Sequence, residues 1–330
     1  MISNRSALPD SIAGRLTLPL IAAPMLRVSG PDLVVAACRA GVIGAFPTKN
    51  ARSSEELDTW LGDISARLSD QERRPAPFCP NLIMRDVRLK EDLACVARWG
   101  AEMVITSVGS PAPAISALHD AGCLVLADVA TLRHAERAIE AGADGLILLT
   151  AGAGGQTGWL NPFAFVRAVR EMFNGIVVLA GGVSDGRALA AARVLGCDLA
   201  YMGTRFIAVR ESLASDAYRA MLVEASMDDV TLTSSFTGLP ANMLAPSIRA
   251  AGLDPAQLEE SISEARARER FGAGAGAGGA RRWTDIWSAG HSVSGVRVVQ
   301  TVEALVRQTK AEYVAAQETA ATSMSIGQTE

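Results

Sequence analysis

Two glycine turns, each directly after an apolar run, are the residues of this chain best suited to chemistry. Ile176-Val177-Val178-Leu179-Ala180 runs into Gly181-Gly182, and Leu199-Ala200-Tyr201-Met202 runs into Gly203-Thr204. Without a Cβ in the way, backbone N–H groups at glycine can close on an anion. Successive turns of this kind, after the seventh and eighth strands of a (β/α)8 barrel, hold a phosphate. They predict a phosphate grip for a cofactor. A third glycine turn, Gly152-Ala153-Gly154-Gly155-Gln156-Thr157-Gly158, follows the apolar run Gly145–Leu149.

The other residues at predicted strand ends are Met25, Phe46, Asn81, Ser107 and Asp128. No set of His, Asp, Glu or Cys with metal-ligand spacing stands among them, so no metal site is expected. Neither a nucleophile-elbow serine nor a Walker lysine motif is present. Glycines and neutral polar side chains dominate, a composition that suits a redox cofactor carrying its own chemistry. Of the three histidines, His119 and His134 read as solvated positions on outer helices, and His291 falls in a late segment, Gly290-His291-Ser292. Asp128 reads equally as a cofactor contact or as a loop stabiliser. Trp159 reads as a pocket wall or as ordinary packing.

Eight apolar strands alternate with helical patterns in units of roughly 25 residues, the rhythm of a closed parallel barrel. The expected fold is therefore α/β, a (β/α)8 TIM barrel with a small, mainly helical lid inserted after strand eight. Strands are expected at 18–23, 42–46, 78–83, 103–107, 123–127, 145–150, 176–180 and 199–202. Helix starts are marked by Pro31, Ser53/Ser54, Thr131, Pro162 and Ser184/Asp185. The barrel is expected over residues 1–213 and the lid over 214–296, with helices at 216–225, 246–251 and 254–268. The lid would contain the glycine-rich tract 271–279, read as a flexible loop. Residues 297–330 would return as an amphipathic helix carrying Val298, Val302, Leu305, Val306 and Tyr313 on one face, followed by a polar tail.

Composition narrows the partners. The chain has 330 residues, 49% of them hydrophobic, and a formal net charge of −4. It can bury a large core, and its charge argues against nucleic acid. The five cysteines are scattered and odd in number, which reads as reduced core thiols. No signal-peptide pattern or membrane-length apolar run is seen, so a cytoplasmic protein without membrane contact is expected. A homodimer is left open.

At these residues the chain resembles the nitronate monooxygenase (2-nitropropane dioxygenase) family of FMN-dependent barrels. The resemblance is carried by Ala22-Ala23-Pro24-Met25, Ala141-Gly142-Ala143-Asp144-Gly145, Gly152-Ala153-Gly154-Gly155, Ala180-Gly181-Gly182 and Tyr201–Phe206. It continues through Phe236–Asn242 and Trp287-Ser288-Ala289-Gly290. It implies FMN across the barrel mouth, its phosphate held by N–H groups of Gly181, Gly182, Gly203 and Thr204, with the Thr204 hydroxyl as a further donor. Ala23, Pro24, Met25, Asn81, Asp128, Gly154 and Gly155 are the other implied cofactor contacts. The family commonly reads Gly-Gly-His where this chain has Gly154-Gly155-Gln156, and often has glutamine where this chain has His291. Gln156 and His291 are thus the candidate catalytic pair. An amide can donate to a nitronate oxygen but cannot take a proton near neutral pH, which favours a substrate that is already ionised.

The expected activity is oxidation of alkyl nitronates with O2. The alternatives are an NAD(P)H-dependent reductase of quinones or enoyl thioesters using the same FMN, and, in another class, a phosphate-binding barrel without redox chemistry. The expected partners are small molecules: a substrate, with O2 or a quinone as acceptor.

Overall fold

The computed structural model describes residues 7–69, 74–272 and 279–326. Eight parallel strands close into a barrel in sequence order. They are β1 (Leu20–Ala22), β2 (Ile43–Pro47), β3 (Phe78–Ile83), β4 (Met103–Ser107), β5 (Leu124–Val129), β6 (Gly145–Leu149), β8 (Ile176–Ala180) and β9 (Leu199–Met202). The intervening β7 (Gly155–Gln156) lies outside the barrel. Closure is made by β9, which pairs with β1 in the register Tyr201↔Ile21.

Alternate residues of each strand fill the barrel. Ile21, Ile43, Cys79, Ile105, Leu126, Ile147, Val178 and Leu199 form one buried cluster, and Leu8 and Ile12 join it from the N-terminal segment. Their companions on the opposite strand face pack beneath the outer helices, as Leu146, Leu148, Val177 and Leu179 do. A fully buried side chain of this size contributes about 1.5–3 kcal/mol, so strand parity is strongly fixed. Parity then decides which residues face the barrel mouth. All five cysteines are buried and unpaired.

The helix-start signals act as expected. The Thr131 hydroxyl accepts from His134 N at 3.1 Å, Asp185 Oδ1 accepts from Ala188 N at 2.8 Å, and Pro162 opens its helix behind a cap the sequence reading did not name, Asn161, whose Oδ1 accepts from Phe163 N at 3.0 Å. The last helix, Val302–Ile326, packs between helices Gly186–Leu195 and Pro31–Arg39. Its approach to the former is close: a Cβ on Gly186 would lie 2.1 Å from Tyr313 N.

Four expectations change. Val298 precedes the last helix and is 57% exposed, because the chain is still descending from the lid there. The helix itself continues past Ala315 to Ile326. Between 254 and 268 the polar stretch is split, with a 3-10 turn at Pro255–Gln257 capped by Asp254 and a helix at Glu264–Phe271 capped by Ser263. The lid also contains a sheet: β10 (Val230–Thr233) and β11 (Ala241–Leu244) pair antiparallel, and β11 pairs with β7. The glycine tract lies largely outside the described residues.

Candidate functional site

The C-terminal strand ends open into one cavity of about 980 Å3, large for a ligand pocket, which typically spans roughly 300–1,000 Å3. Its floor is the last inward-facing layer of the barrel: Asn81, Ser107, Asp128, Leu149, Ala180 and Tyr201. Ser107 Oγ donates to Asn81 Oδ1 at 2.9 Å. That bond orients the Asn81 amide and leaves its N–H groups to the cavity. On the β1 side, Ala23, Pro24 and Met25 line the wall. Their turn is pinned by Asn50, whose Nδ2 donates to Met25 O at 2.9 Å and to Ser29 O at 2.8 Å.

The two glycine turns reach this same cavity. Gly181 and Gly182 have φ of 125° and 72°, in the region L side chains avoid. A Cβ on Gly181 would lie 2.4 Å from Thr150 Oγ1, whereas one on Gly182 would meet nothing within 4 Å. Gly181 is thus explained by packing. Gly182 is not, and its bare backbone faces open space. The N–H groups of both donate to no backbone carbonyl among the described residues. Beside them, Gly203 precedes the short helix Thr204–Ile207, so the first N–H groups of that helix also lack helical partners. The buried Thr204 Oγ1 accepts from Gly290 N at 3.0 Å, which keeps its own proton for a further acceptor. Backbone donors from adjacent strand ends, an unfilled space at Gly182 and an oriented hydroxyl fit the phosphate of a cofactor.

The third glycine turn is shared with the lid. A Cβ on Gly154 would lie 2.7 Å from Gly290 N, and Gly155 (φ 67°) pairs with Asn242. Both still border the cavity, but the missing Cβ of Gly154 is accounted for by lid backbone. Asn242 Nδ2 donates to Ala153 O at 2.7 Å, and Thr157 Oγ1 to Thr150 O at 2.9 Å. These bonds hold Gln156 at the cavity edge, half-buried.

The structure does not bring His291 to Gln156. Its N–H donates to Gly152 O at 2.9 Å, while its side chain is exposed, packs over Gly152 and is absent from the cavity lining. The left-handed Gly152 (φ 86°) leaves the space that this ring occupies on the outer side of the loop. His134 is exposed but stands on the cavity rim, because its helix starts immediately after β5. His119 lies elsewhere, with Nε2 2.9 Å from Asp144 Oδ2. Trp159 is 83% exposed at the cavity mouth.

Asp128 is the electrostatic oddity of the floor. Its Oδ1 is buried with no hydrogen-bond partner, and burial pushes its carboxyl up from 3.8 to about 7. Sequence reading did not single out Tyr201 or the Tyr218–Trp287 stack (centroids 4.9 Å apart, 13° between planes) as cavity walls. Tyr201 was recoverable from the parity of β9, two residues after Leu199. The stack joins residues 69 positions apart and left no local signal. At the rim, Arg137 and Arg268 have no carboxylate partner among the described residues. No group able to hold a metal ion is found among the described residues, and none of their helices is long and apolar enough to cross a membrane.

A closed parallel barrel with its ligand cavity at the C-terminal mouth is the architecture of an enzymatic TIM barrel. The chain belongs to the Nitronate monooxygenase family, which it matches over residues 79–312, and it is an oxidoreductase. Members of this family are typically flavin-dependent. The nitronate monooxygenase of Paraburkholderia phytofirmans is 28% identical over 280 residues, covering 72% of this chain and 76% of that protein. The (3aS,4S,5R,7aS)-5-hydroxy-7a-methyl-1-oxo-octahydro-1H-indene-4-carboxyl-CoA dehydrogenase of Mycobacterium tuberculosis is 27% identical over 271 residues, covering 81% of this chain and 72% of that one. Among solved structures, FabK of Thermotoga maritima superposes with a TM-score of 0.81 at 25% identity, covering 96% of this chain and 99% of that one.

Proposed function

We propose that this chain binds FMN and oxidises alkyl nitronates with O2. The observation that carries the reading is the pair of glycine turns after β8 and β9. Both open on one cavity, with unused N–H donors and an empty Cβ position at Gly182. The N–H groups of Gly181, Gly182, Gly203 and Thr204, with the Thr204 hydroxyl, would hold the phosphate. Asn81 and the Ala23-Pro24-Met25 turn would line the cofactor's polar chain and ring. Bound there, FMN supplies the electron-transfer chemistry. Gln156 would donate its amide N–H to a nitronate oxygen and orient the anion; His291, outside the cavity, takes no part in this reading. Homologous nitronate monooxygenases support the substrate class.

A second reading, an NAD(P)H-dependent reductase of quinones or enoyl thioesters, is favoured by one specific observation. Arg137 and Arg268 stand unpaired at the mouth of a large cavity, where they suit the phosphates of a nucleotide or of a thioester carrier. A carboxyl-CoA dehydrogenase among the relatives is consistent with it. Anaerobic mixing of the FMN-loaded protein with ethyl nitronate, NADH or NADPH tests both. Rapid bleaching of the flavin band by the nitronate supports the first reading; bleaching by a pyridine nucleotide alone replaces it with the second.

A further inference from the structure

The turns after β8 and β9 belong to different strands, and one phosphate held by both requires them to keep a fixed separation. The ladder between these strands ends at Ala180↔Tyr201. Beyond it, among the described residues, no backbone hydrogen bond joins 181–184 to 203–206. One side chain does: Arg205 Nη1 donates to Ser184 O at 2.9 Å. We propose that Arg205 is the positioning residue of the phosphate site, clamping the β8 turn to the β9 turn and lending its positive charge to the bound phosphate without touching it. The proposal rests on the reading of the glycine turns as the FMN phosphate site, and names a residue outside them on which that site depends.

The clamp is anchored in both turns. Arg205 follows Thr204 directly, so its backbone moves with the β9 turn. Ser184 is two residues past Gly182, at most about 7 Å of chain, so its carbonyl moves with the β8 turn. The side chain crosses between them behind the cavity, whose lining contains Gly181, Gly182, Gly203 and Thr204 but not Arg205. The 3-10 segment His291–Gly295 closes over the crossing. A Cβ on Gly295 would lie 2.8 Å from Ser184 Cβ and 3.6 Å from Arg205 Nη1. Gly290, just before that segment, donates its N–H to Thr204 Oγ1 at 3.0 Å. One stretch of lid thus covers the clamp and orients the hydroxyl of the site.

Charge is the second observation. Arg205 is 8% exposed, and a guanidinium so buried ordinarily has a carboxylate partner. Here, among the described residues, its hydrogen bond goes to a neutral carbonyl. Glu312 and Asp185 act on it only through space, and Arg297 opposes them. Both acids spend oxygens elsewhere: Glu312 Oε2 accepts from Gly186 N at 3.0 Å and Asp185 Oδ1 from Ala188 N at 2.8 Å. Burial pulls the guanidinium below its usual value, yet arginine keeps its charge at neutral pH. A cation with an incomplete countercharge therefore stands a short stretch of backbone from donors that suit a phosphate. Binding of that group completes it. Riboflavin, which lacks the phosphate, gains nothing from it, so a change at Arg205 acts on the phosphate and not on the ring.

The test is flavin affinity, read from the quenching of FMN or riboflavin fluorescence on titration with the full-length chain. Wild-type protein should bind FMN more tightly than riboflavin. Arg205→Met, which keeps the bulk of the side chain and removes both its charge and its donors, should weaken FMN binding by about 10-fold or more and leave riboflavin within about twofold. Riboflavin binding then also reports that the variant is folded. Arg205→Lys keeps the charge without the planar fork, and its loss for FMN should fall between wild type and Arg205→Met. An unchanged ratio of FMN to riboflavin affinity in Arg205→Met, equal weakening of both flavins, or a lysine variant as weak as the methionine one overturns the proposal. Equal binding of the two flavins by wild-type protein removes the phosphate reading itself, so the protein in which the preference is missing tells the two failures apart.

Discussion

Asp128 and Gly154 show how single residues set the terms of this site. Folding raises the Asp128 carboxyl from 3.8 to about 7 by burial. Its contribution to stability is therefore fully present below 3.8 and is lost as pH rises through about 7. The whole effect has an upper bound on the order of 4 kcal/mol, less because the side chain is only half-buried. Asp128→Asn should leave urea stability unchanged near pH 3.5 and raise it progressively up to pH 8, giving a gap that widens with pH. A gap that is constant with pH would mean that the carboxyl already titrates at its ordinary value. At Gly154 the cost is steric. A methyl group there would lie 2.7 Å from Gly290 N and 3.1 Å from Ala289 C, against backbone that cannot rotate away. Gly154→Ala should lose about 1–3 kcal/mol, seen as a lower urea midpoint with unchanged slope.

At the scale of elements, the barrel was legible because each of its signals is local. Short apolar strands, glycine stops and helix-start residues such as Thr131, Pro162 and Asp185 each lie within a few positions of what they control. The glycine turns after β8 and β9 were legible for the same reason. The lid was not. Gly155-Gln156 has no strand pattern, and becomes β7 only because Asn242 and Ala241 arrive from 85 and more residues away. His291 could not be placed either, since which face of a lid loop meets the cavity depends on that non-local pairing. Residues 254–268 failed as one helix because they bury almost nothing: among the described residues Ile262 and Ala267 are the buried apolar positions there, too few to hold a polar helix of that length. The bond that ties the lid sheet to the barrel is Asn242 Nδ2 to Ala153 O, made by a side chain only 3% exposed. Asn242→Ala leaves that carbonyl without its partner, a cost of about 1–3 kcal/mol. Backbone amide exchange should accelerate at Gln156 and Thr157, the residues held by β11 and by Pro240 O, while amides of β3–β5 keep their protection. Uniform acceleration throughout would show instead that lid and barrel open as one unit.

For the molecule as a whole, a cavity at the joint of barrel and lid couples ligand binding to global stability. The loop 152–158, the segment 287–289 and the ends of β8 and β9 all border it, and unfolding any of them destroys it. A ligand that binds only the folded chain stabilises it by about 2.7 kcal/mol at one hundred times its dissociation constant. That is enough to raise Tm by several degrees. The phosphate reading makes this effect selective. FMN and riboflavin share the ring and the polar chain and differ in the group that the Gly182 and Gly203 turns would hold. At equal concentration FMN should therefore raise Tm markedly more than riboflavin, and inorganic phosphate should compete with FMN but not with riboflavin. Thr204→Val, which removes both the acceptor for Gly290 N and the outward hydroxyl proton, should narrow the difference between the two flavins. Equal shifts from FMN and riboflavin would place the anchoring energy in the ring rather than at the glycine turns, and with it the part of the cavity on which specificity depends.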